Sequence, residues 1–162
     1  MTPRSAPPRK FLVIADGSAE FAAALRFACR RARSTGGKVA ILRVINPAVF
    51  EHWSGVREEI ERQARAEAAQ EMEAYSPLVL TETGSQPELL FVRADDTRDA
   101  LRRVISADRD IKILVLAAAT GGRGPGPLVT SIAREGVRWG GRNLPVTVVP
   151  GDLSEAEIDD LA

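Results

Sequence analysis

The sequence predicts an α/β protein built on a doubly wound, five-stranded parallel sheet with helices on both faces. Three observations carry that expectation. Five apolar runs of five to eight residues recur along the chain, and each is short enough for a strand and too continuous for a half-exposed one. Between successive runs lie longer segments whose apolar residues repeat at helical spacing. Strands alternating with helices pair in parallel, because only a crossover can return the chain to the same end of a sheet.

The first run is FLVIA, residues 11–15, bounded by Lys10 and Asp16. A helix follows from Phe21, with Phe21, Leu25, Ala28 and Ala32 on one face, Ser18 as its expected N-cap and Gly36-Gly37 as its stop. KVAILRVI, residues 38–45, is the second strand, ended by Asn46-Pro47. The segment PAVFEHWSG that comes next reads as a loop holding Phe50, His52 and Trp53. Val56, Ile60, Ala64, Ala68, Met72 and Tyr75 then line one face of a long helix, which Pro77 ends or kinks; LVLTETG beyond it has no assignment. Residues 88–92 form the third strand, Asp96 caps a helix carrying Leu101, Val104 and Ile105, and KILVLAA, residues 112–118, is the fourth. A loop with four glycines and two prolines in seven positions, GGRGPGP, leads into a helix from about Leu128. LPVTVV, residues 144–149, is the fifth strand, and SEAE, residues 154–157, has the spacing of a capping box for a short last helix.

This order divides the chain into a flexible N-terminal arm at residues 1–9, one α/β domain at 10–150 and a tail with a short helix at 151–162. A chain of 162 residues suits a single domain. Twenty-two basic residues balance twenty-two acidic ones, which gives no reason to expect a nucleic-acid partner, and the Arg-rich stretch FACRRARS reads as a solvated helix face. No run reaches membrane-span length, so a cytoplasmic protein without membrane contact is expected. One cysteine, Cys29, and one histidine, His52, leave nothing from which to build a triad, a zinc site or a redox pair, so neither catalytic nor metal-ligating residues are assigned. Asp95-Asp96 reads as a cap and a solvated neighbour.

Ligands on doubly wound sheets bind beyond the carboxyl ends of the strands, where the strand order reverses, which directs attention to Asp16, to 44–46 and to 117–127. Neither a Walker loop nor a G-x-G-x-x-G turn is present. The order of elements, an aspartate directly after the first strand, a Gly-rich loop after the fourth and a final P-V-x-V-V strand together resemble the universal stress protein family over about residues 10 to 150. That resemblance implies a flavodoxin-like (Rossmann-like) sheet of order 3-2-1-4-5 and a homodimer through the last strand, 145–149, which runs from Pro145 to Val149 and is expected at a sheet edge. It also implies a regulator that binds an adenine nucleotide, ATP with magnesium, at the ends of strands one, two and four.

The nucleotide-binding members carry G-x-x-G, nine residues, then G-[S/T]. Set against that pattern, Ala117 and Thr120 stand where the first two glycines belong, and Thr130-Ser131 on the final pair, so only Ser131 conforms. Moving the register onto Gly121 and Gly124 brings Arg134-Glu135 to the final pair instead, and WGGRN adds about two residues before the last strand. The candidate nucleotide contacts are therefore Asp16, Val44, Ala117, Gly122, Gly124, Gly126, Thr130 and Ser131. Asp16 would accept ribose hydroxyls, and Val44 would offer backbone groups near an adenine. The loop glycines and the helix N-terminus would hold phosphate, with Arg123 adding charge. Two readings stay open: a nucleotide-responsive regulator, or an interaction module of the same fold that works through its dimer surface and binds no nucleotide. In the second, GGRGPGP is a connector whose Pro127 takes the first helical position. An enzyme ranks behind both.

Overall fold

The computed structural model describes residues 5–47, 56–136 and 138–162. The expected loop with Phe50, His52 and Trp53 lies outside the described residues. Elements run β1 (Lys10–Ile14), α1 (Phe21–Thr35), β2 (Lys38–Ile45), α2 (Arg57–Ala74), α3 (Ser76–Thr83), β3 (Glu88–Arg93) and α4 (Thr97–Ala107). They continue with β4 (Ile111–Ala118), α5 (Pro127–Glu135), β5 (Arg138–Trp139), β6 (Arg142–Asn143), β7 (Val146–Pro150) and α6 (Glu155–Leu161). The five long strands form one sheet of order β3-β2-β1-β4-β7, parallel throughout. Counted along the sheet strands alone, this is the order 3-2-1-4-5.

Alternation along the strands divides the core in two. Phe11, Val13, Val39, Ile41, Val115 and Val149 pack beneath α1, α3 and α6 with Met72 of α2. Leu12, Ala40, Leu42, Leu114 and Leu116 pack beneath α4 and α5. The period-2 geometry of a strand requires this split, and each central run is apolar because both of its faces are covered. β1 and β4 are the neighbours from which the crossovers leave to opposite faces, α1 to one and α5 to the other.

Local departures from the sequence reading have local causes. Ser18 does not cap α1; Glu20 occupies the N-cap position without a side-chain bond, while Ser18 donates its N–H to Asp16 Oδ1 at 2.9 Å. Asp16 and Ser18 form an Asx turn ahead of the helix, which starts at Phe21 as expected, three residues beyond Ser18. At the other end of α1, Gly36 closes the helix in the left-handed region, φ 67°. Gly37 is needed for a different reason, since a Cβ there would lie 2.7 Å from the Arg9 carbonyl oxygen. Pro77 ends the long helix as expected, α2 stopping at Ala74, but it also stands in the first turn of a new helix, α3, so LVLTET is helical and Gly84 caps it. Burial along the α2 stripe rises from exposed Val56 to buried Ala68 and Met72, and Tyr75 meets Phe21 edge-on at 5.0 Å.

The extra residues around WGG form a β5–β6 hairpin that the sequence reading did not contain. It plugs the α4 face with Trp139, which is fully buried under the Arg98 guanidinium at 4.9 Å. It also presents Arg142 to four carbonyls around the end of α4: Ile105 at 2.6 Å, Asp108 at 3.0 Å, Arg109 at 3.4 Å and Ile111 at 2.8 Å. A guanidinium at a helix C-terminus satisfies orphan carbonyls and opposes the negative end of the dipole. α6 has both bonds of its capping box, Glu157 N–H to Ser154 Oγ and Ser154 N–H to Glu157 Oε2. It is held to α1 by Ile158 and by Arg30 beside Asp159 at 2.8 Å.

Candidate functional site

A cavity of about 350 Å³ opens at the carboxyl ends of β1 and β4, where the sheet reverses direction. Each element that reaches it arrives at an end: β1 with Ile14 and Asp16, β4 with Leu116, Ala117 and Ala119, α1 with Glu20 and Phe21, α4 with Thr97, and α5 with Gly126, Leu128 and Val129. Strands end here because Asp16 and the glycine-proline loop cannot continue them, and helices begin here because each crossover starts here. The walls are mainly apolar, and Asp16 and Glu20 are the carboxylates among the lining residues.

The loop after β4 is drawn back on itself. Ala119 N–H donates to the Pro125 carbonyl at 3.1 Å, so residues 120–124 form an exposed bulge away from the cavity wall. Gly124 and Gly126 take φ of 85° and 106°, values that favour glycine, whereas Gly121 and Gly122 do not. Pro127 takes the first helical position of α5. The carbonyl of Gly126 accepts from both Thr130 N–H, 3.0 Å, and Thr130 Oγ1, 2.8 Å. This leaves the amides of Leu128 and Val129, in the first turn and beside the cavity, without intrahelical acceptors.

The structure therefore brings three of the sequence-predicted residues to one cavity: Asp16, Ala117 and Gly126. The other five lie elsewhere. Val44 packs partly buried against the α4 face, and Gly122 and Gly124 sit in the exposed bulge. Thr130 is exposed, its hydroxyl bonded to Gly126. Ser131 Oγ accepts from Arg98 Nη1 at 3.3 Å and lines a second, more open cavity of about 700 Å³ with Asp95, Asp96, Asp99, Arg102 and Glu135. The two cavities share Thr97, Pro127 and Leu128. Glu20, Phe21 and Thr97 were not foreseen at the site. Glu20 and Phe21 start a helix four and five residues after Asp16, and Thr97 follows the cap Asp96, so helix starts at this end of the sheet were the readable signal.

Electrostatics outside the cleft is structural. Burial, with some help from Glu82, pushes the Cys29 thiol up to about 12, so it carries no nucleophilic thiolate. At the opposite end of β1, burial lowers the Lys10 pKa, but bonds to Asp108 and Glu88 outweigh it and the net shift is upward. Asp108 is likewise raised by burial and lowered further by Lys10 and by the Asp110 N–H, a net fall. No group of three or more His, Cys, Asp or Glu among the described residues is arranged to hold a metal ion, and no described helix is long and apolar enough to cross a membrane.

Residues 8–156 match the Universal stress protein family. No curated protein matches the chain. Among solved structures the chain is similar to the universal stress protein UspA from Lactobacillus plantarum, with a TM-score of 0.71 at 17% identity over 89% of this chain and 99% of that one. It is similar also to the universal stress protein from Archaeoglobus fulgidus in complex with dAMP, with a TM-score of 0.55 at 18% identity over 89% and 98%. A universal stress protein in complex with cAMP gives 0.55 at 18% identity over 91% and 100%.

Proposed function

The chain belongs to the universal stress protein family, and from that premise we propose that it is a cytoplasmic regulator that binds an adenine nucleotide in the β1–β4 cleft without turning it over. The observation that carries this reading is the convergence of Asp16 and the first turn of α5 on one cavity at the point where the sheet reverses. Its volume, about 350 Å³, falls within the range of small-ligand pockets. Apolar Ile14, Phe21 and Leu116 suit the faces of a base, a carboxylate suits ribose hydroxyls, and unpaired amides at a helix N-terminus suit phosphate. Two relatives of the same fold were solved with cAMP and with dAMP, which supports the ligand class.

The test is to denature protein purified from cells, search the released fraction for adenine nucleotides by mass spectrometry, and titrate the emptied protein calorimetrically. A released nucleotide that rebinds one per chain supports the reading. An empty fraction with no heat at millimolar nucleotide, a concentration at which even weak sites of roughly −4 kcal/mol are half filled, removes it.

A second reading keeps the fold and drops the ligand: a dimeric interaction module working through β7. It is favoured by Val148, an apolar side chain 42% exposed on an edge strand, the kind of edge that proteins cover. A homodimer through β7 is compatible with both readings, so the nucleotide titration decides between them.

A further inference from the structure

We propose that the cleft takes an adenine nucleoside carrying at most one phosphate and selects against the triphosphate. The inference rests on the nucleotide reading above and sharpens it. Its basis is the balance of charge and of hydrogen-bond donors around the two adjoining cavities, which share Thr97, Pro127 and Leu128.

The described residues lining the first cavity include two carboxylates, Asp16 and Glu20, and neither Lys nor Arg. A longer phosphate chain would have to run on past Thr97, Pro127 and Leu128 into the second cavity. There it meets Asp95, Asp96, Asp99 and Glu135 against only Arg98 and Arg102. Both guanidiniums are engaged, Arg98 with Glu135 at 3.1 Å and with Ser131 and the Gly136 carbonyl, Arg102 with Asp99 at 3.5 Å; Asp99 is also held by Arg103, so Asp95 and Asp96 are the lining carboxylates without an ion pair among the described residues. A triphosphate would thus bring its negative charge toward surfaces whose unpaired charge, Asp16 and Glu20 in the first cavity and Asp95 and Asp96 in the second, is negative.

Donors are equally limited. The hydroxyl of Thr130 and the amide of Ala119 donate within the protein, to the Gly126 and Pro125 carbonyls, and the Ser131 hydroxyl, which accepts from Arg98, lines the second cavity and not the first. Arg123 lies in the exposed bulge and does not line the cavity. What remains beside the first cavity is a small set, the first-turn amides of Leu128 and Val129 with the Ser18 and Thr97 hydroxyls, and none of it carries positive charge to offset a triphosphate.

Calorimetric titration of the full-length protein with adenosine, AMP and ATP, with and without magnesium and at low and high salt, tests this directly. Adenosine and AMP should bind, and ATP should bind at least about tenfold more weakly than AMP, the scale of a few like charges at partly screened distances. Raising the salt should narrow that gap, because screening relieves repulsion; a site that attracts triphosphate shows the reverse. Glu20→Gln should also narrow it, moving the ATP-to-adenosine ratio several-fold toward ATP. ATP binding as tightly as AMP, or a gap that widens with salt, overturns the proposal and leaves nucleotide binding intact. If none of the three binds, the nucleotide reading itself fails and this one with it. Because the salt comparison uses unaltered protein, it decides even where the variant misfolds.

Discussion

Two alanine substitutions four residues apart in the glycine-proline loop should have opposite effects on stability, and the reason lies entirely in the backbone. Gly126 is held at φ 106°, ψ 159°, a region that L side chains scarcely enter. A Cβ there would meet no heavy atom within 4 Å, so the cost of Gly126→Ala is conformational and not steric. Holding alanine in that region costs about 1–3 kcal/mol. Escape by rotation is also expensive, because the Gly126 carbonyl anchors both the amide and the hydroxyl of Thr130, bonds worth about 1 kcal/mol each. Gly122 has equally open surroundings but no positive φ. Gly122→Ala should therefore be neutral or stabilise by up to ~1 kcal/mol, through the restricted unfolded chain. In urea, with an m-value of roughly 2 kcal/mol per molar, the two midpoints should differ by about 1 M, Gly126→Ala below the unaltered protein and Gly122→Ala at or above it. Coincident midpoints would refute the assignment of strain to residue 126.

Trp139→Ala should cost about 3–5 kcal/mol, since it empties the space beneath α4 and unseats Arg98. Trp139→Phe should cost much less than the lost volume suggests, because the buried indole N–H has no hydrogen-bond partner among the described residues; both are read by the same denaturation curves. The Lys10–Asp108 pair, 2.5 Å apart, makes stability pH-dependent at both ends of the range. Asp108 is lowered on folding, so its contribution is complete above its unfolded value of about 3.9 and disappears as pH falls through the lower folded value. Lys10 is raised, so its contribution is complete below about 10.4 and disappears as pH rises through the higher folded value. Asp108→Asn should flatten the acid limb of a stability-against-pH curve, and an unchanged limb would assign acid sensitivity to other groups. Val148→Arg should convert a β7-paired dimer to monomer in light scattering while changing monomer stability by no more than ~0.5 kcal/mol, as expected at an exposed position.

Apolar runs and helical spacing made the sheet and its crossovers legible, because parallel strands buried on both faces leave continuous signals such as KVAILRVI and KILVLAA. Caps at Asp96 and Ser154 were equally readable, since each motif is local and complete within four residues. Ser18 misled because it belongs to the Asx turn of Asp16, two residues before the N-cap position at Glu20, a placement that spacing does not reveal. LVLTETG hid its helix behind Pro77, which ends one helix and starts another with equal ease. The hairpin at Trp139 left only a length surplus, too short a pattern to show periodicity. The site was legible by strand end and not by loop chemistry: Asp16 and Ala117 follow from where β1 and β4 stop, whereas a glycine-rich loop does not declare which of its amides turn inward.

Equilibrium binding of AMP to unaltered protein and to Asp16→Asn tests the cleft most directly. Asparagine keeps an oxygen for the Ser18 amide, so the turn survives while the charge that would accept ribose hydroxyls is lost. Saturable binding at one site per chain, weakened about tenfold or more in the variant, is the predicted result. Saturable binding that Asp16→Asn leaves untouched, or none at millimolar AMP, contradicts a ligand site between β1 and β4.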